Sequence, residues 1–181
     1  MNGSVIIDLL NKRDETALVY IKQSCGAGIT DIAYNILKNR EDAEEVLSDT
    51  LLAVWNNVPP DAPVNFPGYV YKTARNIALH AYRKNHSKKR GAVTVRIDEL
   101  AECISGGDVE DRIEERRLAS LIDGFLSTLD ADSRRIFLGR YFYNMEYKQI
   151  AEKYGMGLSR VKMSVKRTKE KLKEFLTKEG Y

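Results

Sequence analysis

All four prolines of this chain, Pro59, Pro60, Pro63 and Pro67, fall within one short stretch, and the rest of its 181 residues carry none. Proline fixes φ and removes a backbone donor, so the long proline-free runs on either side leave helices unbroken. Within those runs apolar residues recur at helical rather than alternating spacing. The pattern predicts an all-α chain with one stiff loop in its first half. Its length suits one compact domain or two small ones, and 43% hydrophobic with 30% charged residues is the composition of a soluble globular protein.

Before the prolines, residues 8–23 read as a helix with Leu9, Leu10, Ala17, Leu18 and Ile21 inward. The CGAG run from Cys25 to Gly28 reads as an interruption, and residues 30–37 resume with Ile32, Ala33, Ile36 and Leu37 as the core face. Asn39 is suited to cap the next helix, with Glu41 and Asp42 in its first turn where carboxylates favour the helix dipole. That helix runs to about Asn57. Ala43, Leu47, Leu51 and Val54 make its buried line, supported by Val46 and Trp55. On the other side fall Glu41, Glu45, Asp49, Leu52 and Asn56. A leucine within an acidic stripe fits a docking surface for a basic, partly apolar partner, and fits equally a solvated face with one exposed leucine.

After the prolines, residues 67–85 form a helix whose inner stripe is Val70, Ala74, Ile77, Ala78 and Ala81. Tyr69, Tyr71, Lys72, Arg75, Asn76, Tyr82, Arg83 and Lys84 surround it. Net charge is only +3, but no acid lies between Asp61 and Asp98, whereas 31–49 and 98–115 are acid-rich. Segregated charge points to distinct surfaces for distinct partners. Aromatics interleaved with cations suit single-stranded nucleic acid, because bases stack on rings while phosphates meet cations; some of those tyrosines serve equally well as core. From 91 to 113 the composition changes. Val93–Ile97 is β-branched without a second strand, and ISGGD follows at 104–108, so the stretch reads as an extended flexible linker.

A second helical unit occupies 114–181. Leu118, Leu121, Ile122, Phe125, Leu126 and Leu129 form an amphipathic stripe, and Asp130 is placed to cap a helix carrying Ile136, Phe137, Leu138, Tyr141 and Phe142 before a turn at Asn144. The run YKQIAEKYGMGLSRVKMSVKRTKEKL, 147–172, then gives a short helix with Ile150, Ala151 and Tyr154 apolar, a turn at Gly155, and a longer helix with Leu158, Val161, Val165 and Leu172 in phase. Arg160, Lys162, Lys166, Arg167 and Lys169 take the remaining faces. An alanine, a glycine corner and a returning valine are how a helix-turn-helix closes, with the second helix entering the DNA major groove. The plainer alternative is an αα-hairpin with a solvated basic face.

Cys25 and Cys103 lack a CxxC spacing, and His80 and His86 complete no zinc set, so reduced thiols and no metal or other cofactor are expected. The N-terminal apolar run is too short for a signal peptide or membrane span, which predicts a cytoplasmic protein.

Three runs in order, DIAYNILKNREDAEEVLSDTLLAVW (31–55), FPGYVYKTARNIALHAYRK (66–84) and LSTLDADSRRIFLGRYFYNMEYKQIAEKYGMGLSRVKMSVKRTKEKL (126–172), resemble bacterial RNA polymerase sigma factors of the sigma-70 family. The two-domain layout resembles the extracytoplasmic-function group. That resemblance implies a region 2-like domain over 1–90, a linker over 91–113 directed to the polymerase active centre and RNA exit path, and a region 4-like helix-turn-helix domain over 114–181. Asp42, Glu44, Glu45, Asp49 and Leu52 would bind the coiled coil of the largest core polymerase subunit. Asn65, Phe66, Tyr69, Tyr71, Lys72, Arg75, Asn76, Arg83 and Lys84 would capture the opened −10 element. Ser159, Arg160, Lys162, Met163, Lys166 and Arg167 would read −35 duplex DNA. Core polymerase, including its flap, promoter DNA and an anti-sigma factor are the implied partners, with no small-molecule substrate. Ser48, Leu51, His80 and Gly157 stand where the family usually has glutamine, phenylalanine, aspartate and serine.

Two rivals compete with a non-enzymatic sigma factor. A one-component helix-turn-helix regulator binding an operator without core polymerase would need a sensor or dimerisation unit in the first half, and no long heptad is present. An enzyme acting on nucleic acid would need converging metal-binding carboxylates or a Walker-type loop, and neither spacing occurs.

Overall fold

Helix ends in this protein are set by short polar side chains and left-handed residues. A computed structural model describes residues 3–61, 63–85 and 112–180. Helix α1, Gly3–Asn11, stops where Arg13 takes φ 56°. Asp14 then accepts hydrogen bonds from the Thr16 amide (2.9 Å) and hydroxyl (2.7 Å). The Thr16 hydroxyl, followed by the amide, holds the Asp14 carboxyl below the usual carboxylate range. Helix α2, Thr16–Leu37, starts there. The helix expected over 8–23 is therefore two helices with a corner between them. Arg13 pins that corner to the end of the next-but-one helix, donating to the Trp55 carbonyl and lying 5.4 Å from the Trp55 ring centroid.

The expected interruption at Cys25–Gly28 does not occur: α2 passes straight through it. Each mid-helix glycine forgoes about 1 kcal/mol of propensity relative to alanine. Close packing explains why they are there. Cys25 and Gly26 are buried, and a Cβ on Gly28 would stand 2.8 Å from Tyr71 Cε1 and 2.9 Å from its hydroxyl oxygen. The glycine lets a neighbouring helix lay an aromatic ring directly on α2.

Lys38, left-handed at φ 58°, ends α2, and Asn39 caps α3, Arg40–Asn57, by accepting from the amides of Glu41 (2.8 Å) and Asp42 (3.4 Å). The buried line of α3 is Ala43, Val46, Thr50 and Val54. Leu47, Leu51 and Trp55, expected inside, are only partly buried. Thr50 replaces them at the centre because its hydroxyl donates to the Val46 carbonyl at 2.6 Å, which satisfies its one donor within the helix. Helix α4, Phe66–Asn85, is capped by Asn65 Oδ1, which accepts from the Gly68 amide at 3.1 Å. Helices α1, α3 and α4 all pack on α2, around Leu10, Ile21, Ile29, Ile32, Ile36, Val54 and Val70.

The chain divides into two compact units, 1–89 and 90–181. In the second, α5 (Arg112–Thr128) begins within the expected linker, the remainder of which, with Val93–Ile97, Ile104–Asp108, His86 and Cys103, lies outside the described residues. Arg134 closes the end of α5 by donating to the carbonyls of Leu126 (2.7 Å), Ser127 (2.9 Å) and Leu129 (3.0 Å). Asp130 Oδ1 accepts from the Ser133 amide at 2.9 Å and caps α6, Ala131–Tyr141. The turn at Asn144, φ 53°, leads to α7 (Tyr147–Tyr154), and α8 (Leu158–Lys178) completes the unit. Helices α5, α6 and α7 pack against α8. Among the described residues no helix is long and apolar enough to cross a membrane, and no group of three or more His, Cys, Asp or Glu could hold a metal ion.

Two mid-helix glycines differ in surroundings, and their substitutions should differ in sign. Gly28→Val forces the Tyr71 ring away and should destabilise the first unit by about 1–3 kcal/mol, read in a urea titration by the fluorescence of Trp55, the chain's one tryptophan. A Cβ on Gly124 meets nothing within 4 Å, so Gly124→Ala should raise the stability of the second unit by up to about 1 kcal/mol, read by circular dichroism.

Candidate nucleic-acid and protein interfaces

Three outward surfaces follow from these helix rotations. With Ala43, Val46, Thr50 and Val54 inward, α3 turns Glu41, Glu44, Glu45, Ser48, Asp49, Leu52 and Asn56 to solvent. Leu52 is 58% exposed on the face that carries Glu45 and Asp49, while Asp42 is half-buried near the cap. The surface is acidic with one apolar point, and no cation of its own unit is paired with it in the described contacts. Its charge and shape are complementary to a basic surface carrying an apolar recess.

On α4 the inner stripe is Phe66, Val70, Ala74 and Ala78, joined by Leu79. Phe66, expected to meet DNA, is 2% exposed and belongs to the core, with its Cβ 3.1 Å from where a Gly3 Cβ would stand. It lies one i,i+4 step ahead of Val70, Ala74 and Ala78, and that register was the signal for burial. Tyr71 is half-buried against Gly28, so its ring supports α2 packing. Lys72, Asn76, Arg83 and Lys84 are exposed on the helix, and Asn65 is exposed at its start.

Tyr69 and Arg75 occupy intermediate positions with altered chemistry. The Tyr69 hydroxyl donates to Asp61 Oδ2 at 3.1 Å across the proline loop. Burial first, and then the Asp61 carboxylate, push its ionisation above the ordinary tyrosine value. Burial also lowers the Arg75 guanidinium from its ordinary value, with Arg83 repelling it in addition. An aromatic ring whose edge is fixed by a carboxylate, next to a line of cations, can stack a base and hold phosphates. Asp61 had no sequence signal for this role, since the contact depends on how the loop folds back.

The third surface depends on one corner. Gly155, φ 62° and ψ 36°, ends α7, and Met156 donates to the Ala151 carbonyl at 2.9 Å in the six-to-one bond of a glycine-terminated helix. Gly157 caps α8 without a side-chain hydrogen bond, its carbonyl accepting from Val161 at 3.1 Å. Behind the corner, Gly139 lets Ile150 of α7 sit against α6: a Cβ there would be 3.2 Å from Ile150 Cγ1. Arg140, 7% exposed, lies 4.2 Å from the Tyr147 ring centroid and 3.6 Å from Glu146, tying α6 to the start of α7. Val161, Val165, Thr168, Leu172 and Leu176 bury one side of α8. Leu158, expected inside, is 42% exposed, because a first-turn side chain leans back past the packed layer.

Ser159, Arg160, Lys162, Met163, Lys166 and Arg167 are therefore all exposed along one helix, with Met163 47% exposed among the cations. Arg160 also pairs with Asp132 of α6, its Nη2 donating to Oδ2 at 3.0 Å. Sequence spacing gave no sign of that pair, since the two residues lie 28 apart.

The Tyr69 environment makes a direct test possible. Asp61→Asn should lower the pH at which Tyr69 ionises, though not fully to the ordinary value, because burial remains. The step is isolated by subtracting the tyrosinate absorbance titration of Tyr69→Phe. Since the folded value is the raised one, this contact stabilises the fold below the ordinary tyrosine range and is lost as pH rises through the Tyr69 value.

The profile of sigma-70 region 2 matches residues 23–88, and that of sigma-70 region 4 matches 125–174. The chain is 24% identical over 152 residues to the ECF RNA polymerase sigma factor SigE of Mycolicibacterium smegmatis, covering 81% of this chain and 56% of that protein. It is 25% identical over 136 residues to the ferric citrate uptake sigma factor FecI of Escherichia coli, covering 74% and 76%. Thus the chain spans little more than half the length of the first relative. Among solved structures, CnrH in complex with the cytosolic domain of CnrY aligns with a TM-score of 0.45 at 20% identity over 96% of each chain.

Proposed function

Because the chain belongs to the sigma-70 family, in its extracytoplasmic-function group, we propose that it is a promoter-specificity subunit of RNA polymerase that performs no chemistry itself. The first unit binds core polymerase through α3 and holds the opened −10 strand through α4. The second unit reads −35 duplex DNA through α8. The observation that carries this reading is the outward rotation of α3: Glu45, Asp49 and the exposed Leu52 form one surface on the residues that match region 2.

Opening a promoter requires energy from binding. Flipping one base out of the duplex costs a few kcal/mol, and stacking on a protein ring returns about 1–3 kcal/mol per base. Tyr69, steadied by Asp61, is the ring for this step, and Asn65, Lys72, Asn76, Arg83 and Lys84 line the strand, with Arg75 reinforcing their positive field. Asp42 and Glu44 flank the core-binding stripe. In the second unit Lys162, Lys166 and Arg167 supply phosphate and base-edge contacts, and Ser159 and Met163 lie between them. The coiled coil of the largest core subunit and the polymerase flap are the protein partners, and an anti-sigma factor completes the set by family resemblance. The cytoplasm is the place of action, or the membrane face when a tethered anti-sigma factor binds. A one-component regulator is not favoured, because both matched regions belong to sigma factors.

Run-off transcription with purified core polymerase on a fragment upstream of the protein's own gene tests the reading. A specific start that appears only when the protein is added is expected; no stimulation with active core would contradict it. Glu45→Lys with Asp49→Lys should abolish co-purification with core while leaving the Trp55 unfolding midpoint unchanged. Arg167→Ala should weaken binding to the upstream element by about 1–3 kcal/mol if it reads a base edge, measured as promoter affinity of the holoenzyme. An equal loss on unrelated DNA would assign Arg167 to phosphate alone.

A further inference from the structure

We infer that Asp132 is a positioning residue for promoter readout: it orients Arg160 at the start of α8 and so sets discrimination at one base pair. This rests on the proposed role of α8 as the duplex-reading helix. Asp132 stands in the first turn of α6, and Arg160 in the first turn of α8. Arg160 Nη2 donates to Asp132 Oδ2 at 3.0 Å. The second carboxylate oxygen faces Arg135, whose Nε is 3.6 Å from Oδ1, and the Arg135 guanidinium lies 5.7 Å from the Tyr154 ring centroid. Tyr154, Arg135, Asp132 and Arg160 thereby join α7, α6 and α8 at the corner that presents the helix.

The placement is costly unless it serves recognition. A carboxylate beside a surface that meets phosphates repels the polyanion and lowers affinity for any DNA. Nor does the pair account for the fold, since the side chains are 39% and 66% exposed and ion pairs this open contribute little to stability. What the carboxylate does provide is a fixed direction for a long, mobile side chain. An unrestrained arginine exchanges between phosphates and base edges. One held at Nη2 loses fewer rotamers on binding and offers its remaining N–H donors in one direction. Asp132 therefore exchanges some affinity for selectivity.

That trade gives Asp132→Ala a signature opposite to a structural defect. Starting from a promoter that the holoenzyme transcribes, the affinities of core polymerase with the full chain are measured for every single-base variant of the upstream element and for unrelated DNA. Wild type should show a penalty of about five- to hundredfold at the base pair read by Arg160. In Asp132→Ala that penalty should shrink to below about threefold at that position only, while affinity for unrelated DNA stays equal or rises. Arg160→Ala should lose discrimination at the same position, and the double variant should lose no more than either single one. Asp132→Asn, which keeps an acceptor without the charge, should retain part of the penalty. Unchanged discrimination in Asp132→Ala, or a uniform loss on all DNA together with a lower unfolding midpoint for both Asp132 variants, would overturn the inference. Arg167→Ala separates the two levels: if it costs affinity while Asp132→Ala leaves discrimination intact, only the positioning role fails. If Arg167→Ala costs nothing at any position, the assignment of α8 fails and takes this inference with it.

Discussion

The close approach of α4 to α2 at Gly28 is the contact on which the first unit depends. A side chain at that position would occupy the space of the Tyr71 ring, so α4 could not pack at its present depth. Because α3 and α4 both rest on α2, that depth governs which of their faces remain outside. On α3 the outward face is acidic with Leu52 at its middle; on α4 it carries Lys72, Asn76, Arg83 and Lys84. The polar ends cooperate with this packing. Asn39 and Asn65 start the two helices at defined residues, and Arg13 fastens the corner before α2 to the end of α3. Surfaces of opposite charge are thereby held on one small scaffold.

The second unit solves a different problem with similar means. Its cation-rich helix is long, and half of its circumference must be buried to hold it still. Val161, Val165, Leu172 and Leu176 accomplish that burial, while Gly139 and Gly155 permit the tight path of α6, α7 and the corner before α8. No side chain caps α8. The start of α8 is instead met from outside, where Asp132 of α6 pairs with Arg160. In the proposed function, a first unit folded around one proline loop serves polymerase and opened strand, and a glycine-cornered second unit serves duplex.

Much of this was legible in the sequence because certain residues have few places to go. Glu41, Glu45 and Asp49 cannot be buried unpaired, so the outer stripe of α3, and Leu52 within it, followed from spacing alone. Asn39 and Asp130 announced their helices through capping chemistry. The failures have equally physical causes. Local propensity makes the CGAG glycines a break, whereas tertiary packing uses them as a recess. Thr50 took the central core position of α3 from Leu47 and Leu51 because a threonine can satisfy its hydroxyl within its own helix. By family resemblance Phe66 would meet DNA, yet its register with Val70, Ala74 and Ala78 places it inside. The pairs Asp61–Tyr69 and Asp132–Arg160 were invisible, since each joins elements whose meeting depends on the finished fold.

In the proposed function this chain opens a promoter only as part of polymerase, with duplex recognition and strand capture in different units. Permanganate reactivity of promoter thymines measures that most directly. With core polymerase and the protein together, thymines of the downstream element should become reactive, and with either component alone they should stay protected in duplex. Reactive thymines in the presence of the protein alone, or a fully bound complex with core whose thymines never react, would contradict it.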